Sequence, residues 1–187
     1  MSEPLRIAVF GPESTGKTWL AEKLAAHFHA PLVREYAREL WDRQGALTLE
    51  DMLPVAREQW RREDEAIQRC HLLGDISSGA RPLVICDTDA LTTTLWSDLL
   101  YGTTPDELRR HAEKRCRNYA LYLLCDTDVP FADDPQRCFP DPDDREKCRR
   151  VWRGALERRK LPFVGIRGNW EEREKAAIKA IDGLLSS

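Results

Sequence analysis

The 187 residues suffice for one ordinary domain with a sizeable core and leave little for a second. Lys and Arg number 29 against 32 Asp and Glu, so the formal charge of −3 lacks the strongly basic balance of a dedicated nucleic-acid binder. Hydrophobic residues at 42% exclude global disorder, and no apolar run approaches the roughly 18–20 residues of a membrane span.

The first predicted strand is Leu5–Phe10. Its apolar run is too short for the core of a secretion signal. The six cysteines contain no Cys-x-x-Cys pair, and the four histidines show no zinc-ligand spacing with them. Reduced thiols and a cytoplasmic location are therefore expected.

Directly after the strand, Gly11-Pro12-Glu13-Ser14-Thr15-Gly16-Lys17-Thr18 matches Gly-x-x-x-x-Gly-Lys-Ser/Thr. Two glycines let the backbone wrap around anionic oxygens. The amides of Glu13, Ser14, Thr15 and Gly16 and of the helix start then donate to phosphate. Lys17 adds a point charge on the outer phosphates, and the Thr18 hydroxyl is the expected magnesium ligand. The pattern predicts binding of ATP with Mg2+, because it stands between a strand and an amphipathic helix as that chemistry requires.

That helix is Lys17–Phe28, with Leu20, Leu24 and Phe28 on one face. A short strand, Ala30–Val33, follows, then a helix over Glu35–Gln44 presenting Ala37, Leu40 and Trp41. The long helix Leu53–Leu73 carries a stripe of Ala56, Trp60, Ile67 and Cys70, interrupted by Glu63. A Gly-Ala-Arg-Pro turn signal precedes the strand Pro82–Cys86. Helices over Ala90–Tyr101 and Pro105–Cys116 lead to the strand Tyr119–Cys125. After it, Asp126–Asp144 holds four prolines and seven aspartates and forms no regular element. Its composition supplies few apolar anchors. A helix over Asp144–Lys160, a strand over Pro162–Ile166 and a helix over Trp170–Leu185 complete the chain. Continuous apolar strands alternating with helices predict an α/β, three-layer P-loop NTPase fold, with a five-stranded parallel sheet and a lid at roughly 126–145.

The chemistry-bearing candidates sit where strands end. Asp87, first after the third strand, is the expected second magnesium ligand. Asp89 fits either substrate binding or the cap of the next helix. After the second strand, Glu35 can accept a proton from an attacking hydroxyl, Tyr36 can stack on a ring, and Arg38 can bind polar groups. Alternatively, Glu35 only complements the helix dipole. In the lid, Arg137 and Arg145 can offset charge on a transferring phosphoryl group, or simply pair with neighbouring aspartates. Trp60 or Trp96 can floor an aromatic pocket.

Together these motifs resemble the ribosylnicotinamide kinase domain of NadR-type proteins. The matching pieces are the phosphate loop, Arg34-Glu35-Tyr36-Ala37-Arg38-Glu39, and Asp87-Thr88-Asp89-Ala90-Leu91-Thr92-Thr93. Asp133-Asp134-x-x-Arg137 with Arg145 beyond it, and Leu161-Pro162-Phe163-Val164, extend the match along nearly the whole chain. The resemblance implies ATP-dependent phosphorylation of nicotinamide riboside to its mononucleotide, with Glu35 and Arg137 in catalytic roles. It implies a small nucleoside as partner, without nucleic acid or membrane. NadR-type proteins usually carry an adenylyltransferase domain ahead of the kinase; with the phosphate loop starting at residue 11, a single kinase domain over 1–187 is expected here. A kinase for another nucleoside or small alcohol, or a regulatory P-loop ATPase, remain the alternatives.

Overall fold

The apolar runs assemble into one five-stranded sheet, in the order β2-β3-β1-β4-β5, with every neighbouring pair parallel. The computed structural model describes residues 3–73 and 81–186. The Gly79-Ala80 half of the expected turn signal lies outside them. The strands are β1 (Leu5–Phe10), β2 (Leu32–Val33), β3 (Leu83–Asp87), β4 (Leu121–Cys125) and β5 (Phe163–Ile166). The helices are α1 (Lys17–His27), α2 (Tyr36–Gln44), α3 (Met52–Leu73), α4 (Thr92–Tyr101), α5 (Asp106–Arg115), α6 (Pro142–Arg159) and α7 (Trp170–Leu185). This is the expected three-layer α/β P-loop fold.

Both faces of the sheet are covered over β1, β3 and β4, which is why these strands read as unbroken apolar runs. Successive residues alternate between two cores. Ile7, Val9, Ile85, Leu121 and Leu123 face Leu20 and Leu24 of α1 and Ala177 and Ile181 of α7. Ala8, Phe10, Val84, Cys86 and Tyr122 face α3, α5 and Trp152 of α6. Phe10 meets Tyr122 edge-on at 5.5 Å between ring centroids.

Glu63 does not interrupt the α3 stripe, because it is itself in the core at 0% exposure. The Tyr119 hydroxyl donates to its Oε2 at 2.8 Å, and Arg6 and Arg115 stand at 3.6 and 3.7 Å. Burial nevertheless pushes its carboxyl up to about 7.

The second strand is shorter than predicted. The Ala30 amide still closes the end of α1 by donating to Ala25, and Pro31 has no amide to pair. The lid segment also ends earlier, because Asp141 caps the Asp143 amide at 2.8 Å and Pro142 fits the first turn of α6. Among the described residues no helix is long and apolar enough to cross a membrane.

The order of strands sets the site. Val9 pairs with both Asp87 and Leu123, and Val33 with Cys86. Gly11, Glu35 and Asp87 therefore emerge at one edge of the sheet, where β1 leads toward β2 on one side and β3 leads to β4 on the other.

Candidate functional site

The phosphate loop is built by close approach. A Cβ at Gly11 would lie 2.8 Å from the Cys125 carbonyl oxygen. Gly16 has φ +78° and presses on the Trp170 indole, where a Cβ would sit 2.5 Å from the ring. Within the loop, the Pro12 carbonyl accepts from Thr15 Oγ1 at 2.9 Å and from Lys17 Nζ at 2.7 Å. The cradle is thus preformed, with its ammonium drawn over it.

Asp87 ends β3 and is 2% exposed. The Thr18 hydroxyl stands beside its carboxylate and lowers its pKa, while Oδ1 is buried without a partner. Desolvation pushes this carboxyl above its usual range, against the pull of Thr18 and Lys17. An orphaned carboxylate oxygen beside a hydroxyl at a phosphate cradle fits a divalent cation with oxygen ligands. Were Mg2+ bound here, Thr18 and Asp87 would be the residues to hold it.

Glu35 occupies the N-cap position of α2 but makes no capping bond with its side chain. It is half-buried and lines the cavity. Desolvation raises its carboxyl above the usual range; the Lys17 charge opposes this and Asp87 adds to it. Three of the predicted groups, Lys17, Glu35 and Asp87, are thus brought within electrostatic reach of one another.

Lys17 and Glu35 open into a cavity of about 640 Å3, and Asp87 lies behind its wall at Thr88. One end is the phosphate loop from Glu13 to Trp19. The other is an apolar wall that includes Trp41, Met52, Val55, Trp96 and Tyr101. Of the two tryptophans predicted for a pocket floor, Trp96 is there. Trp60 is absent from the cavity lining; it packs against His111 at 5.6 Å and lies under Arg115.

The lid is docked on this cavity. The Glu13 carboxylate accepts the amides of Cys138 and Phe139, at 2.9 and 2.6 Å to Oε1. Ser14 Oγ accepts the Ala132 amide at 2.8 Å and Arg137 Nη1 at 3.2 Å. Arg38 of α2 pairs with Asp134 at 2.6 Å, and Gln136 Nε2 donates to Asp42 at 2.7 Å. The segment also has aromatic anchors that its composition disguised. Phe139 stacks on Trp96 at 6.1 Å, and Phe131 lies beneath both Arg137 and Arg145.

Several expected positions differ. Asp89 is 1% exposed, and its oxygens take the Leu91 amide at 2.8 Å, the Thr92 amide at 2.9 Å and the Thr92 hydroxyl at 2.7 Å. It caps α4 and does not face the cavity, because a strand-to-helix turn must satisfy its first amides. The Tyr36 ring lies beneath the Arg43 and Arg62 guanidinium groups and is not in the cavity wall. Arg38 does line the cavity, while its charge goes to Asp134. Arg145 Nη2 donates to the carbonyls of Thr127 and Val129, both at 2.8 Å. It fixes the lid root and borders a separate depression beside Phe131.

One residue of this region was not singled out by sequence. Arg173 of α7 is 1% exposed. It donates to Thr15 O of the phosphate loop at 3.1 Å, to Asp126 O at 3.1 Å and to Gly168 O at 2.8 Å, and it pairs with Asp128. A charged position on the inner stripe of the last helix was the available signal. Arg173→Ala should cost about 2–3 kcal/mol, because three carbonyls and a partly exposed carboxylate lose their buried donor. Arg173→Lys should recover only part. Urea unfolding of both variants checks this; stability equal to wild type would refute the role.

The fold and loop define a P-loop protein with the architecture of a small-molecule kinase. Residues 6–173 match the model of the family described as an AAA domain, AAA_28, and the chain belongs to that family. Among solved structures it is similar to a NadR protein in complex with NR, at 23% identity and a TM-score of 0.76, over 99% of this chain and 52% of that one. A NadR protein in complex with NAD and AMP-PNP matches at 22% identity and 0.74, over 99% and 50%. Thymidylate kinase from Ehrlichia chaffeensis matches at 15% identity and 0.66, over 98% and 100%. The chain spans about half the length of the two NadR chains, and its fold is that of the NadR-type kinase domain.

Proposed function

We propose that this chain is an ATP- and Mg2+-dependent kinase that phosphorylates nicotinamide riboside to its mononucleotide. The observation that carries the reading is one cavity lined by both the phosphate loop and an aromatic wall, with Glu35 in the same lining. The NadR structure with NR supports the choice of acceptor, and the motifs along the chain agree with it.

In this mechanism the loop amides and Lys17 hold the β- and γ-phosphates. Thr18 and Asp87 would hold Mg2+, which when bound would neutralise phosphate charge. Glu35 takes the proton of the acceptor hydroxyl as its oxygen forms a bond to the γ-phosphorus. The bond from that phosphorus to the β–γ bridging oxygen breaks, and ADP leaves. Arg137, held at the phosphate loop by Ser14, places its guanidinium where charge spreads on the transferring group. The docked lid excludes water, which favours an alcohol acceptor over hydrolysis.

The direct test is ADP release from ATP with and without nicotinamide riboside, with the mononucleotide identified by mass. Turnover that depends on the riboside is expected; turnover indifferent to it sinks the reading.

The two lid arginines should separate. Arg137→Ala should lower kcat and kcat/KM together by about 10²-fold, as for other removed electrostatic donors. Arg145→Ala should cost less, since its bonds go to lid carbonyls. Steady-state kinetics of both variants checks this, and Arg137→Ala within twofold of wild type would remove the lid from the chemistry.

A further inference from the structure

Gln59 of α3 sits in the cavity wall and is 3% exposed. Its Oε1 accepts the Tyr36 amide at 2.9 Å. That amide opens α2, has no partner within the helix, and receives none from the Glu35 side chain. The need of this amide for an acceptor fixes the orientation of the Gln59 carboxamide: oxygen toward Tyr36, nitrogen away from it. Nε2 is left buried and without a partner. Buried donors are rarely left so unless something else binds them.

A second orphan lies in the same cavity. Thr88 is 4% exposed, and its Oγ1 is buried without a partner. It follows Asp87 directly and has φ +103°, a conformation that β-branched residues avoid. Around these two groups the wall is aromatic and aliphatic, with Trp41 and Trp96 among its members.

We infer that Gln59 selects the acceptor substrate, donating from Nε2 to an oxygen of the carbonyl class on a planar ring held in this cavity, with the Thr88 hydroxyl as the second polar contact. This deepens the kinase reading and rests on it. For nicotinamide riboside the oxygen is that of the ring carboxamide. A ring without such an oxygen leaves the Gln59 donor buried and unpaired, and is rejected for that reason.

The test pairs a deletion in the protein with a deletion in the substrate. The probes are nicotinamide riboside and ribosylpyridinium, which lacks the carboxamide. Wild type should favour the first by about 10²-fold in kcat/KM. Gln59→Met, close in volume, should lose most of that preference, to about tenfold or less, with KM for ATP unchanged. Gln59→Glu keeps an oxygen for Tyr36 and replaces the donor, so it should also lose activity toward nicotinamide riboside; its thermal midpoint tests for folding.

If Gln59 only caps α2, or binds a structural water, both probes fall by the same factor in Gln59→Met, and the inference is overturned. Uridine and cytidine serve as further acceptors. Wild-type turnover of either in place of nicotinamide riboside removes the proposed acceptor but leaves Gln59 testable, since Gln59→Met must then lower kcat/KM for that carbonyl-bearing nucleoside. A wild-type chain that phosphorylates none of these acceptors overturns both readings.

Discussion

Lys17→Ala should reduce kcat/KM by about 10³-fold or more while the protein stays folded. A positioned charge on the transferring phosphates acts at the point where negative charge is densest, and such groups carry several kcal/mol of the barrier. The fold depends on Lys17 far less. Its ammonium makes one hydrogen bond, to the Pro12 carbonyl, and that carbonyl keeps Thr15 Oγ1 as a donor when the lysine is removed. The stability loss should therefore be about 1 kcal/mol. Kinetics and thermal unfolding on the same preparation decide the matter. Near-normal turnover at normal stability would refute the phosphate-loop assignment; a collapsed fold would mean that the Pro12 bond is structural.

Glu35→Gln should lower kcat by about 10³-fold, within the range for a lost general base. KM for ATP should change little, because the nucleotide contacts lie on the loop. The pH profile gives a second readout. Burial raises the Glu35 carboxyl above its usual range. The proton-accepting form is therefore depleted as pH falls through that raised value, so kcat/KM should decline on the acid side at a pH above the ordinary carboxylate range. The glutamine variant should lack this limb. A collapse of ATP affinity, or an acid limb identical in the variant, would place Glu35 outside the proton transfer.

Much of the site was legible because its signals are local. The phosphate loop makes its internal bonds across three to five residues, from Thr15 and Lys17 back to Pro12. The strands that carry it are buried on both faces, so their composition alone separates them from the amphipathic helices between them. Asp87 and Glu35 could be placed at one edge because the first ends a strand of a parallel sheet and the second follows one. Asp89 shows where that logic stops. A strand-to-helix turn offers its carboxylate both a ligand and unpaired amides, and three hydrogen bonds to Leu91 and Thr92 took it inward. Tyr36 shows the same limit, since the stacking arginine Arg62 comes from another helix.

The amino-acid sequence by itself therefore determined the three-layer fold, the phosphate cradle and the edge of the sheet that carries the candidate site. These follow from periodicity and from contacts between near neighbours. Only the tertiary structure decided what surrounds them. The lid reaches the phosphate loop from more than a hundred residues away, through Glu13 and Ser14. Arg173 ties that loop to α7, and Gln59 meets Tyr36 across two helices. In each case a polar group must find a partner once water is removed, and which partner it finds depends on packing that no local pattern encodes.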